Sequence, residues 1–194
     1  KIIEKLKQKG LLEKIDEKYM HSVQVCYKCN SVIEPQIIPQ WYIATTKNLK
    51  DGRPSLRDMA LKAVDEKEVE IVTEKFEKIF RHWMENIKDW PISRQIWWGI
   101  PIPVKYCGCG EIIIDVADKI SACPKCASDV LKKDNDTFDT WFSSGQWPYA
   151  TLKAKGGKDF ETFFPTDVME TGWDILFFWV ARMIMLSYYR VNKP

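Results

Sequence analysis

The chain has 194 residues, 45% of them hydrophobic and 13% aromatic, with 29 Lys and Arg against 27 Asp and Glu for a formal charge of +2. That balance excludes a disordered tail and a protein that coats nucleic acid by bulk charge alone. The length suits one good core or two small ones.

The opening KIIEKLKQKG alternates lysine with apolar residues, without the apolar run and cleavage site of a signal peptide and without an initiator Met. An internal segment of a larger protein is expected. Ile2, Ile3 and Leu6 share a helical face that Gly10 closes, and residues 19–43 read as short extended pieces. Ser55 caps a helix with Leu56, Met59, Ala60, Ala63 and Val64 on one face and Asp58 placed to cap reciprocally. Val69 to Val72 alternates as a strand. Thr73 opens a second helix striped with Phe76, Ile79, Phe80, Trp83 and Ile87, which Pro91 should end.

From Ile92 to Val104 the aromatic and proline-rich QIWWGIPIPV predicts a buried strand and a tight turn. A cysteine hairpin follows, then turn formers around Gly156 and Gly157. A last helix starts at Thr171 or Asp174 and is apolar on almost every face, so it needs cover on all sides. The apolar run Trp173 to Leu186 is broken by Asp174 and Arg182 and is shorter than the ~20 residues of a membrane span. A cytoplasmic protein with no membrane partner is expected.

The six cysteines fall as Cys26-x-x-Cys29, Cys107-x-Cys109 and Cys123-x-x-Cys126. Close pairs suit a metal better than disulfides, the alternative in an oxidising compartment. Zinc takes four soft ligands in a tetrahedron, which Cys107, Cys109, Cys123 and Cys126 supply as a small ribbon, with no open position for catalysis. The first pair has one intervening residue where two are usual, so either Cys107 or Cys109 could be a spectator. Cys26 and Cys29 form a possible second half-site, and nothing around them reads as a thioredoxin-like unit. His21, His82, Ser143 and Ser144 show no catalytic pattern. Asp134, Asp136 and Asp139 lack the spacing of a calcium loop and read as loop residues or caps.

Three long motifs, DWPISRQIWWGIPIP from Asp89, DTFDTWFSSGQWPYATL from Asp136 and FFPTDVMETGWDILFFWVARMI from Phe163, resemble class I aminoacyl-tRNA synthetases of the valine, isoleucine and leucine group, and most of all its valine-specific members. HSVQVCYKC, EPQIIPQWYI and FRHWMENIKDW fall in the family's order. The resemblance implies an α/β fold: part of a split Rossmann-type catalytic domain with a small zinc-ribbon insertion. It divides the chain into the end of an editing insertion (1–20), a middle catalytic portion (21–104), the ribbon (105–130) and a second-half catalytic portion (131–194).

It further implies ATP with Mg, valine and tRNA as the parent's cofactors and partners, with valine activated as an adenylate and passed to a ribose hydroxyl at the tRNA's 3′ end. Trp141, Ile175 and Trp179 match walls of the amino-acid pocket, which should be apolar and stiff. Gly172 and Asp174 match an adenylate-contacting turn; as bare residues all five also suit an ordinary core and a helix start. Ile175, and the serines after Trp141, favour valine over isoleucine, while WWGIPIP departs from the commoner valine form. HIGH-type and KMSKS-type signatures are absent from the sequence, so the chain alone is expected not to activate valine. Its rivals are an isoleucine-specific fragment and a zinc-ribbon RNA-binding module using Lys125, Lys132 and Lys133. Oligomeric state is not legible.

Overall fold

Gly10 adopts φ +64°, the left-handed position that closes helix α1 (Ile2–Gln8), as its place in the sequence predicts. The computed structural model describes residues 1–154 and 156–194. They divide into two units, 1–39 and 40–194. In the first, α1 is followed by extended chain in which Val25 bridges Val32.

The second unit carries strand β1 (Tyr42–Ile43) and the capped helix α2 (Leu56–Asp65). Leu56, Met59, Ala60, Ala63 and Val64 are all buried on one face of α2, as their spacing requires. They form one core with Phe80 and Met84 of α3 (Glu74–Glu85) and with Ala181, Ile184 and Met185 near the C-terminus. Ser55 Oγ accepts the Asp58 amide at 3.1 Å but donates its own proton to the Asp58 carboxylate at 2.6 Å. The two side chains therefore bond to each other, in place of the expected reach of Asp58 back to the Ser55 amide.

Val69 to Val72 is not a strand, and no strand among the described residues pairs with it. The Val69 amide instead donates to the Ala63 carbonyl, and Val69 and Ile71 pack on the helical core. Helix α3 ends at Glu85 with Asn86 as cap, well before Pro91. Asn86 stops it by folding its side-chain amide onto the His82 carbonyl.

The remaining strands are β2 (Trp90–Pro91), β3 (Ser93–Arg94), β4 (Val104–Cys107), β5 (Ile112–Ile114), β6 (Leu131–Lys133) and β7 (Thr137–Phe138). Antiparallel pairs join β1 to β2 and β3 to β7, and a third sheet has the order β5-β4-β6. Helix and strand are mixed, but no parallel pair of the Rossmann kind occurs among the described residues; pieces of two to four residues are too short to build such a sheet. The QIWWGIP segment also departs from the buried strand expected of it. Trp97 and Trp98 are 98% and 88% exposed, while Ile92, Ile102 and Val104 are buried. A Cβ on Gly99 would meet the Thr137 side chain at 2.8 Å, so the glycine backbone lies against β7 and its tryptophan neighbours are carried outward.

Helices α4 (Thr140–Ser144), α5 (Trp147–Lys153) and α6 (Lys158–Phe163) follow. The expected final helix is three pieces: a 3-10 turn (Trp173–Ile175), a π-helical stretch (Leu176–Ala181) and α7 (Arg182–Val191). Met183 to Leu186 are buried, yet Trp173 and Phe178 remain exposed. Among the described residues, no helix is long and apolar enough to cross a membrane.

Candidate functional site

The turn joining β4 to β5 and the loop before β6 bring Cys107, Cys109, Cys123 and Cys126 together, all sulfurs lying within 4.8 Å of one another. Cys107 Sγ is 3.5 Å from Cys126 Sγ, and Cys109 Sγ is 3.7 Å from Cys123 Sγ. A tetrahedron with metal–sulfur arms of ~2.3 Å has edges of about 3.8 Å, so the spacing fits zinc. None of the cysteines is disulfide-bonded, and the cluster includes both Cys107 and Cys109 despite the single residue between them. Burial opposes ionisation of Cys123, but the backbone amides of Cys126 and Lys125 outweigh it and bring the thiol down to about 7. The Cys109 amide favours the Cys107 thiolate, whereas burial and the neighbouring thiols together push it up to about 12. Held as four thiolates this close, they would need a cation between them to offset their repulsion.

The loop geometry serves that purpose. The Cys123 amide donates to the Ser128 carbonyl at 2.8 Å, the Ala127 amide to the Cys123 carbonyl at 2.9 Å, and Ala127 takes φ +58°. Below the cluster, Cys107, Ile113 and Cys123 form a very small core. Lys105 is buried beside Asp115 at 2.8 Å and reaches Asp118 at 2.8 Å, tying the hairpin to the loop that follows it.

In the N-terminal unit, Cys26 repeats the second loop. Its amide donates to the Ser31 carbonyl at 2.9 Å, the Asn30 amide donates to the Cys26 carbonyl at 2.8 Å, and Asn30 takes φ +57°. Cys26-Tyr27-Lys28-Cys29-Asn30-Ser31 thus has the backbone hydrogen bonds of Cys123-Pro124-Lys125-Cys126-Ala127-Ser128.

A different set of residues lies on α4 and the π-helical stretch. Trp141 stacks on Phe178 with ring centroids 6.0 Å apart, and Trp179 Nε1 donates to the Ser144 carbonyl at 3.3 Å. Both tryptophans are partly buried, as is Ile175 at the end of the 3-10 turn. Regular α-helical phase does not relate Ile175 to Trp179, because the backbone changes from 3-10 to π between them. Gly172 precedes that turn, and a Cβ there would meet Asp174 Oδ1 at 2.5 Å. The exposed Asp174 carboxylate folds over the Gly172 backbone.

The sequence did not single out the network beneath α4. Asp139 is 4% exposed and accepts from Trp90 Nε1 at 2.8 Å, from the Trp141 amide at 3.2 Å and from Arg94 at 2.9 Å. Arg182 lies 3.5 Å from Oδ2, the oxygen that Trp90 and Arg94 also reach, with its guanidinium 4.0 Å from the Trp90 ring centroid. Burial lowers the Arg182 pKa to about 10 against the pull of Asp139, which leaves it charged at neutral pH. The available signals were Asp139 as a cap before Thr140 and Arg182 as a charge inside an apolar run.

Elsewhere, Asp134 accepts from Trp41 Nε1 at 2.9 Å and the Tyr106 hydroxyl at 2.6 Å. Asp136 accepts from Gln95 at 2.7 Å. His21 stacks on Tyr19, and His82 is exposed on α3. Lys125 pairs with Glu111 and Lys133 with Asp118.

A family model for tRNA synthetases class I (I, L, M and V) matches residues 7–121 and 108–194. The chain is 47% identical over 187 residues to a valine–tRNA ligase of Dehalococcoides mccartyi, covering 96% of the chain and 20% of that relative. It is 45% identical over 197 residues to the Thermotoga maritima valine–tRNA ligase, covering all of the chain and 22% of the relative. For the Symbiobacterium thermophilum enzyme of the same name the identity is 47% over 195 residues, again covering all of the chain and 20% of the relative. The chain therefore spans about a fifth of the length of the curated relatives it matches.

Proposed function

Because this chain belongs to the class I tRNA synthetases of the isoleucine, leucine, methionine and valine group, we propose that it is part of a valine–tRNA ligase and carries one side of its valine and adenylate site. The observation that carries this reading is the meeting of α4 with the π-helical stretch, which puts Trp141 and Trp179 on adjoining backbone segments. π-Helical turns are concentrated at functional sites.

In this reading Trp141, Ile175 and Trp179 are stiff apolar walls for a branched aliphatic side chain. Such walls discriminate weakly against an isostere that adds a hydroxyl, for which the valine enzyme is the standard illustration. Gly172 leaves room for the Asp174 carboxylate over its backbone, and this turn contacts the adenylate, with the exposed carboxylate accepting hydrogen bonds from ribose hydroxyls. The valine carboxylate attacks the α-phosphate of ATP and pyrophosphate leaves. A ribose hydroxyl at the tRNA's 3′ end then attacks the adenylate's carbonyl carbon, forming the ester as the acyl–phosphate bond breaks, and AMP leaves with the hydroxyl proton taken up by solvent. Magnesium accompanying ATP supplies charge neutralisation at the phosphates.

The finer architecture follows from the same reading. Residues 1–20 close an editing insertion, while 21–104 and 131–194 flank the ribbon as portions of a split Rossmann-type domain whose parallel sheet is supplied by the rest of a longer, cytoplasmic polypeptide. Cys107, Cys109, Cys123 and Cys126 hold a structural zinc. Cys26 and Cys29, with the backbone of the second zinc loop, are a preformed half-site completed by ligands from elsewhere in that polypeptide.

The test is amino-acid-dependent pyrophosphate exchange. The complete polypeptide should exchange with valine in preference to isoleucine, and the 194-residue chain alone with neither, lacking the HIGH-type and KMSKS-type signatures. Exchange preferring isoleucine in the complete polypeptide overturns the valine assignment. The RNA-module reading is weakened by the pairing of Lys125 and Lys133 with carboxylates.

A further inference from the structure

The two tryptophans assigned to the pocket sit on segments that share no backbone hydrogen-bond ladder, so something must set their spacing. One buried carboxylate is placed to do so. Asp139 Oδ1 accepts the Trp141 amide at 3.2 Å and so fixes the first turn of α4. Its other oxygen, Oδ2, receives Trp90 Nε1 at 2.8 Å, Arg94 at 2.9 Å and Arg182 at 3.5 Å. Arg182 opens α7 directly after the π-helical stretch, so its guanidinium pulls the end of that stretch toward the same oxygen. The guanidinium is also clamped laterally, 4.0 Å from the Trp90 ring centroid and 5.4 Å from that of Phe178, the ring on which Trp141 stacks.

We propose that Asp139 and Arg182 are positioning residues that set the spacing of Trp141 and Trp179, and thereby the amino-acid selectivity of the site, without touching substrate. This rests on the pocket assignment made above. The physical case is geometric: a carboxylate with two cations and an indole around it holds one orientation, and a planar guanidinium stacked on an indole cannot be replaced by an ammonium without losing the stack and the fork. A side-chain pocket distinguishes one methylene by only ~10–200-fold, so a small change in wall spacing is enough to move that ratio.

The experiment uses the complete polypeptide and compares valine with isoleucine in pyrophosphate exchange for Asp139→Asn, Arg182→Lys and Trp90→Phe. Arg182→Lys keeps the charge, and Trp90→Phe keeps a ring while removing one donor to Asp139, so both retain most of the packing if Asp139→Asn does not fold. The expected result is a rise of about tenfold in KM for valine, an unchanged KM for ATP, and a fall of about threefold or more in the valine-over-isoleucine ratio of kcat/KM. Melting temperature is measured alongside. A lowered melting temperature with an unchanged KM and ratio in Arg182→Lys and Trp90→Phe overturns the inference and leaves the residues merely structural. The unsubstituted polypeptide separates the two failures: if it exchanges on no amino acid, the function reading falls and this inference with it, whereas an active enzyme with insensitive variants sinks the inference alone.

Discussion

Lys105 Nζ lies 2.8 Å from Asp115 Oδ2 beneath the cysteine cluster, a pair in which the side chains are 11% and 4% exposed. Asp115 also accepts the amides of Lys119 and Ile120. Principally through Lys105, and against burial, its pKa is held down to about 2 from an ordinary 3.8. A depressed carboxylate contributes stability above its unfolded pKa and loses it as pH falls through the folded one. At neutral pH, far above both values, that contribution is fully present, so in the metal-loaded chain Asp115→Asn should speed amide exchange at Lys119 and Ile120. Equal protection of these two amides in the variant contradicts the assignment.

Metal analysis with thiol titration tests the ribbon. The chain should carry one zinc, with Cys26 and Cys29 still reactive. Structural zinc contributes ~10–16 kcal/mol of apparent binding energy, far more than the small core of Cys107, Ile113 and Cys123 can replace. Cys123→Ser, or a strong chelator, should therefore unfold the 104–133 sheet, while Cys26→Ser leaves it intact. A full metal load in Cys123→Ser would remove that cysteine from the ligand set.

Ser55 is completely buried and bonded twice to Asp58. Ser55→Ala removes the cap and leaves the Asp58 amide without its partner, at a cost of ~0.5–2 kcal/mol. Urea unfolding should show a lower midpoint with an unchanged slope. A cost under ~0.3 kcal/mol means water replaces the hydroxyl.

Local rules located the start of α2 and its buried face, because cap and apolar period agreed from Ser55 to Val64. They failed where tertiary context decides. Trp97 and Trp98 read as core by composition, but the close approach of Gly99 to Thr137 turns them outward. The cysteine cluster was legible because metal ligand spacing is short-range. The motif resemblance pointed to Trp141 and Trp179, but their adjacency joins α4 to a π-helical stretch that no periodicity announced. The buried Asp139 and Arg182 were visible only as isolated charges, since their partners Trp90 and Arg94 lie far away in sequence.

Gly145 closes α4 with φ −65°, a helical conformation open to any residue, so its need for glycine is spatial. An added Cβ would lie 2.8 Å from Leu186 Cδ1 and 3.0 Å from the Trp141 carbonyl oxygen. Leu186 is buried against Trp90 and Tyr149 and has little room to yield, and the carbonyl is backbone. Replacing glycine with alanine restricts the unfolded chain and by itself stabilises by ~0.4–1 kcal/mol. Overpacking costs ~1–3 kcal/mol and should win, so Gly145→Ala is expected to destabilise by on the order of 1 kcal/mol. The relief that the structure permits is movement of α4 away from α7, which weakens the bond from Trp179 Nε1 to the Ser144 carbonyl. The indole proton of Trp179 should then exchange faster in the variant, and a gain in stability with that proton still protected would show that Leu186 gives way instead.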